Sequence, residues 1–296
     1  MNSAEMTAKI AAGKGFIAAL DQSGGSTPKA LAGYGIEASA WSDEAGMYGL
    51  IHEMRSRIIR SAVFTGDKVL GAILFERTMD GSVDGAPVPT ALIAKGIVPF
   101  IKIDKGLEVE AHGVQLMKPM PELDALLLRS KALGVYGTKE RSVINSADAA
   151  GIAAIVAQQF EVGRQVLAQG MMPILEPEVN IKSTTRADCD SILYAELSKA
   201  LDGMDQQVML KLSLPVVPGR FDELTRHPKV LRVVALSGGY QRGEACAELA
   251  KNRGVIASFS RALLEDLRAQ MSDAEFDTAL GGAIDAIYTG STVKTA

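Results

Sequence analysis

A chain of 296 residues with 47% hydrophobic and 22% charged residues has the composition of a globular protein with a sizeable core. Its formal charge of -4 and isoelectric point near 5.6 exclude a general attraction to nucleic acid or to an anionic membrane, so anion binding has to come from local basic clusters. No uncharged apolar stretch approaches the roughly 18 residues of a membrane span, and MNSAEMTAKIAAGKGF carries Glu5 and Lys9 before any apolar run, so a cytoplasmic enzyme is expected.

No linker, low-complexity tract or charge block divides the chain, and residues 1–296 read as one domain. Short apolar runs alternate with stretches of helical spacing. In chain order the spacing predicts a strand over 15–20, a helix over 44–64, strands over 69–75 and 97–103, and a helix over 121–133 bounded by Pro121 and Gly134. A strand over 134–137 runs into 138–143, followed by a helix over 147–169, a strand over 172–175 and a helix over 186–201. Strands over 208–214 and 230–236, a helix over 244–253, a strand over 255–259 and helices over 261–270 and 273–288 complete the chain. Cys189 and Cys246 fall on two of these helices, with no second cysteine or histidine at metal spacing, and read as buried thiols in a reducing compartment. Eight strands with intervening helices match the size and rhythm of an α/β protein of the (β/α)8 TIM barrel type. An open doubly wound sheet is the alternative, but its Gly-x-Gly-x-x-Gly turn after the first strand is missing.

Each apolar run ends in, or carries near its C-terminal half, a polar residue: Asp21, Glu76, Lys102 with Asp104, Lys139 with Arg141, Glu176 with Glu178, Lys211, Ser237 and Arg261. Strand C-termini form the active face of such a barrel, so these groups are candidates for one site. In ILEPEV, Glu176 and Glu178 share a strand face about 6 to 7 Å apart, where paired carboxylates raise each other's pKa and a lysine lowers it. One of them could then donate a proton near neutral pH, a solvated pair at a strand end being the plainer reading.

VMLKLSLP places one charge, Lys211, in an apolar strand. Its stem could snorkel to water from an edge position, or the amine could be held dry to attack a carbonyl. If Lys139 of TKERSV approaches it across the barrel mouth, two ammonium groups in a low dielectric cannot both stay charged cheaply, which would leave Lys211 a usable nucleophile at neutral pH. ALSGGY follows a strand and precedes a helix, and backbone N–H groups at such a turn cradle anions. LDQSGGS repeats that chemistry with Ser23 and Ser26. Two cradles, one beside Arg261 and one beside Lys102, predict a substrate with a phosphate at each end.

GKGFIAALDQSGGS, GAILFERT, GIVPFIKIDKG, TKERSV, PILEPEV, MLKLSLP, ALSGGYQRGEA and SFSRAL, in that order over nearly the whole chain, resemble segments of the class I (Schiff-base) fructose-bisphosphate aldolases. In length and short ending the chain resembles their bacterial branch. The resemblance implies reversible, metal-independent cleavage of fructose 1,6-bisphosphate to dihydroxyacetone phosphate and glyceraldehyde 3-phosphate in sugar breakdown or synthesis, with no cofactor. It makes Lys211 the imine-forming residue and Glu176 the acid/base, with Glu178, Asp21 and Lys139 tuning its proton affinity and orienting substrate. Arg141, Lys102, Ser23 and Ser26 fall nearer the second phosphate and the hydroxyls, and Ser237, Gly238 and Arg261 around the phosphate next to the imine. Ser260 stands where the family often has glycine, and Glu140 where many relatives carry an aromatic residue. The longer relatives end in a tail whose terminal tyrosine assists proton exchange on the enamine; AIYTGSTVKTA ends in alanine, and Tyr288 reads as a structural helix residue.

A metal-dependent aldolase needs a histidine cluster, and His52, His112 and His227 are scattered. A transaldolase or keto-acid aldolase would need one phosphate cradle rather than two. A non-catalytic phosphosugar-binding barrel predicts loss of the amine or its partners, all of which are present. The expected partner is a small phosphosugar, with neither nucleic acid nor membrane; the subunit count stays open, a homo-oligomer included.

Overall fold

Eight parallel strands pair in chain order in the computed structural model, which describes residues 1–295. They are β1 (Phe16–Leu20), β2 (Val69–Leu74), β3 (Val98–Lys102), β4 (Gly137–Ile144), β5 (Met172–Val179), β6 (Val208–Ser213), β7 (Val230–Leu236) and β8 (Val255–Ala257). The Ala19 N–H donates to the Phe259 carbonyl at 3.1 Å, joining the last strand's exit to the first. The sheet therefore closes into a (β/α)8 barrel, and the open doubly wound alternative is overturned.

Besides a single helical turn at Glu76–Met79 after β2, the α-helices are α1 (Ser3–Ala12), α2 (Ser26–Gly33), α3 (Glu44–Arg60), α4 (Val88–Ala94), α5 (Leu123–Ala132), α6 (Ala149–Ala168), α7 (Arg186–Asp202), α8 (Arg242–Ala250), α9 (Arg261–Leu264) and α10 (Asp273–Thr292). Two of the early ones have local causes that composition hides. The α1 start is a capping box, in which Asn2 Oδ1 accepts from the Glu5 N–H and the Glu5 carboxylate accepts from the Asn2 N–H. In α4, Pro89 sits in the first turn, where its missing N–H costs nothing. The helix expected over 261–270 is corrected to a single turn, because the chain beyond it is held elsewhere: the Ala269 N–H donates to the Tyr34 carbonyl and the Gln270 amide to that of Gly35. Cys189 is buried, whereas Cys246 is only half-buried. Tyr288 lies on α10, packed at the edge of the outer core.

Strand alternation sorts the core into two layers. Ile17, Ala19, Ile73, Val98, Phe100, Ile174, Met209, Val234 and Ile256 fill the barrel interior, with Met6 and Ile10 of α1 plugging its lower end. Phe16, Ala18, Leu20, Leu74, Ile101, Leu175, Leu210 and Leu212 face outward against the helices. Gly137 is required for this packing: a Cβ there would stand 2.1 Å from the Met172 carbonyl oxygen and 3.0 Å from the Phe100 ring. The interior period of two continues upward from Ala19 to Asp21, Phe100 to Lys102, Ile174 to Glu176 and Met209 to Lys211. The same face that is apolar below is charged above.

Candidate active site

A cavity of about 1170 Å³ opens at the strand C-termini, and every residue singled out from the sequence lines it: Asp21, Ser23, Ser26, Lys102, Lys139, Arg141, Glu176, Glu178, Lys211, Ser237, Gly238 and Arg261. Its floor is a row of alternating charge. Lys139 Nζ lies 2.6 Å from Asp21 Oδ2 and 2.9 Å from Glu176 Oε2, and Lys211 Nζ lies 3.0 Å from Glu176 Oε1. Glu176 Oε2 is buried and receives no well-aligned hydrogen bond, so its approach to Lys139 is an ion contact alone.

Lys211 is 4% exposed, which overturns the reading of an edge residue that snorkels to water. The bare pair of ammonium groups expected from the sequence is also corrected. Glu176 stands between the two lysines, so each faces a carboxylate before it faces the other. Burial disfavours the Lys139 ammonium, but Asp21 and Glu176 outweigh that and hold its pKa well above the ordinary lysine range. Burial likewise pushes the Asp21 and Glu176 carboxyls up, and the lysines overcome it, leaving both acids below the usual carboxylate range.

The elevation expected for Glu176 therefore does not occur. Glu178 turns to Arg141, whose Nε donates to its Oε2 at 2.5 Å, while Glu176 is held by the two lysines. Lys102 and Asp104 pair directly, Nζ donating to Oδ1 at 2.6 Å; the Arg141 N–H donates to Asp104 Oδ2 at 3.2 Å.

Two turns flank the row. At 237–240 the Tyr240 N–H donates to the Ser237 carbonyl, and Gly238 sits at φ 61, where a Cβ would be 2.7 Å from Ile181. That close approach leaves the backbone of the turn bare toward Arg261, whose guanidinium lies beside Gly239. At 23–26 the expectation of a free hydroxyl is corrected at Ser26: its Oγ accepts from the Ser23 N–H at 2.9 Å and donates to the Ser23 carbonyl at 2.8 Å, closing its own turn.

Sequence reasoning noted Glu76 at a strand end without giving it a partner; it is paired with Lys105 and Arg129 at the cavity rim. Glu140 faces away from the cavity, as the alternation of β4 requires, into a buried polar layer. Thr138 Oγ1 donates to Glu140 Oε2, and the Gln159 amide on α6 bridges the Glu140 carbonyl, Ser142 Oγ and the Glu176 N–H. Burial pushes the Glu140 carboxyl well above its ordinary range. A raised carboxyl pKa disfavours the fold as pH rises above about 4.3, where the unfolded acid ionises and the folded one does not. Glu140→Gln is expected to raise the melting temperature more at pH 7 than near pH 4; equal shifts at both pH values would contradict a raised Glu140 pKa.

The chemistry available to this cavity is that of an amine against a carboxylate, with cations and bare backbone at both flanks. No group of three or more His, Cys, Asp or Glu among the described residues is arranged to hold a metal ion. A family model for class-I fructose-bisphosphate aldolases matches residues 3–214, a span that includes the whole charged row and stops before the 237–240 turn. Three solved structures align over nearly their full length. The fructose-bisphosphate aldolase of Plasmodium falciparum, solved in complex with TRAP and a small-molecule inhibitor, is 20% identical, with a TM-score of 0.76 covering 99% of this chain and 96% of that one. An archaeal fructose 1,6-bisphosphate aldolase is 14% identical, with a TM-score of 0.58 and coverages of 97% and 99%. A Schiff-base-forming fructose-1,6-bisphosphate aldolase is 14% identical, with a TM-score of 0.54 and coverages of 96% and 100%. At these identities the three likenesses speak for the fold.

Proposed function

The chain belongs to the class-I fructose-bisphosphate aldolase family, and from that premise we propose that it reversibly cleaves fructose 1,6-bisphosphate to dihydroxyacetone phosphate and glyceraldehyde 3-phosphate through an imine on Lys211. The observation that carries this reading is the 3.0 Å contact between Lys211 Nζ and Glu176 Oε1 inside a dry, charge-balanced row. Moving one proton along that contact makes a neutral amine and a carboxylic acid in one step, the two reagents that imine formation needs.

The amine attacks the ketose C2. Glu176 returns its proton to the C2 oxygen, water leaves, and a protonated imine results. Glu176, now a carboxylate, takes the proton of the C4 hydroxyl; the C3–C4 bond breaks, its electrons pass into the imine, and the aldose leaves behind an enamine rather than a bare carbanion. Protonation at C3 and hydrolysis release the second triose phosphate. Lys139 keeps its charge throughout, held by Asp21, so that Glu176 ends each transfer beside a fixed cation.

Arg141, Lys102 and Ser23 take the hydroxyls and the second phosphate, with Ser26 holding the turn that presents Ser23; Ser237, Gly238 and Arg261 take the phosphate next to the imine. Arg261 suits that role because it is exposed and its guanidinium borders the turn's bare backbone. We assign the reaction to the central interconversion of hexose and triose phosphates, in the cytoplasm, by one (β/α)8 domain spanning 1–296. A coupled assay of triose phosphate release from fructose 1,6-bisphosphate tests the proposal. Turnover that survives excess chelator supports it, and complete loss on chelation would move the reaction to Lewis-acid chemistry.

A further inference from the structure

Arg55 on α3 is 0% exposed, and all its hydrogen bonds among the described residues go to neutral acceptors. Nη1 donates to Thr78 Oγ1 at 2.7 Å, Nη2 donates to the Gln22 carbonyl at 2.5 Å and to Gln22 Oε1 at 3.1 Å, and Nε is buried without a partner. Burial draws its pKa down to about 10, opposed by the charge of Asp21, so it remains a cation at neutral pH. A buried guanidinium that lacks a carboxylate against it is costly, and packing alone would be served better by an apolar residue of the same size.

What the arginine touches gives it a use. Thr78 lies in the turn after β2, and Gln22 directly after β1. Gln22 passes the contact on, its Nε2 donating to Ser260 Oγ at 2.6 Å, three residues beyond the end of β8. These three strands are neighbours, and the β8–β1 seam is where the barrel closes through the Ala19–Phe259 hydrogen bond. Gln22 precedes Ser23 and Ser260 precedes Arg261, which belong to the two separate phosphate positions.

We propose that Arg55 is a positioning residue that, through Gln22 and Ser260, holds the upper ends of β1 and β8 at a fixed separation and thereby sets the preference for a ketose carrying phosphate at both ends over one carrying a single phosphate. The inference rests on the proposed substrate class. Loosening the seam changes the span between the two phosphate positions, which a substrate anchored at both ends feels and a substrate anchored at one end escapes.

The test uses the full chain, with kcat/KM measured for fructose 1,6-bisphosphate and fructose 1-phosphate. Ser260→Ala removes the hydroxyl that Gln22 donates to; Arg55→Lys keeps the cation and loses the forked geometry. Both are expected to lower kcat/KM for the bisphosphate by roughly three- to tenfold, mainly through KM, and to change that for fructose 1-phosphate by less than about twofold. Should Arg55→Lys fail to fold by circular dichroism, Ser260→Ala decides alone. Equal losses on both substrates, or an unchanged ratio in Ser260→Ala, overturn the inference while leaving the aldolase reading intact. An unaltered chain that cleaves neither ketose overturns both.

Discussion

Lys211→Met is expected to lower kcat by about 10⁴-fold or more while the chain still folds. The variant keeps the length and apolar stem of the side chain and removes only the amine. Because Lys211 is buried at the top of an apolar strand, methionine leaves no buried group unsatisfied at its own position. What it does leave is Glu176 with one cation in place of two, beside Lys139 at 2.9 Å. That carboxylate is still paired, so the stability cost is small compared with the catalytic one. Steady-state kinetics alongside thermal unfolding separates the two: a folded Lys211→Met enzyme within tenfold of the parent would remove the amine from the mechanism.

Lys139→Met is expected to act the other way round, on the fold first. Lys139 is the only member of the row that contacts both acids, Asp21 at 2.6 Å and Glu176 at 2.9 Å. Its removal leaves two buried carboxylates facing the space it filled, a loss of about 3 to 5 kcal/mol at neutral pH. The pH dependence follows from the directions of the shifts. The Asp21 and Glu176 carboxyls are depressed in the fold, so their contribution is present above their unfolded pKa values near 4 and is lost as pH falls through the lower folded ones. Lys139 is raised, so its contribution is complete below about 10.4 and is lost only as pH climbs toward the folded value. The penalty of Lys139→Met is therefore largest between about pH 5 and 10 and shrinks below about pH 4, where the stranded acids take up protons. Denaturant unfolding at pH 4 and pH 7 measures this, and a loss of the same size at both would contradict it.

How much of this was legible in the sequence depends on how local each cause is. The barrel and its active face follow from period-two alternation, since Met209 and Lys211, or Ile174 and Glu176, share a strand face whatever the neighbours do. The identity of the charged groups was legible for the same reason. Their pairing was not, because pairing crosses strands: TKERSV and PILEPEV do not say that Lys139 reaches Asp21, or that Glu176 lies between two lysines, and so the elevation expected for Glu176 is reversed.

Outward-facing residues were harder still. Glu140 looks like one more site charge next to Lys139 and Arg141 until alternation turns it toward Gln159. Nothing in HEMRSR marks Arg55 as different from its charged neighbours on α3, yet it is fully buried against Gln22 and Thr78. The capping box of α1 is encoded locally in Asn2 and Glu5, a polar signal that a pattern of apolar runs does not carry.

The central claim is that Lys211 forms an imine with a ketose phosphate. Reduction with borohydride in the presence of fructose 1,6-bisphosphate or dihydroxyacetone phosphate, followed by peptide mass analysis, tests it most directly. The account predicts a stable added mass on the peptide containing Lys211 and none on the corresponding Lys211→Met peptide. Active enzyme that yields no adduct, or an adduct confined to Lys139 or another lysine, would contradict it.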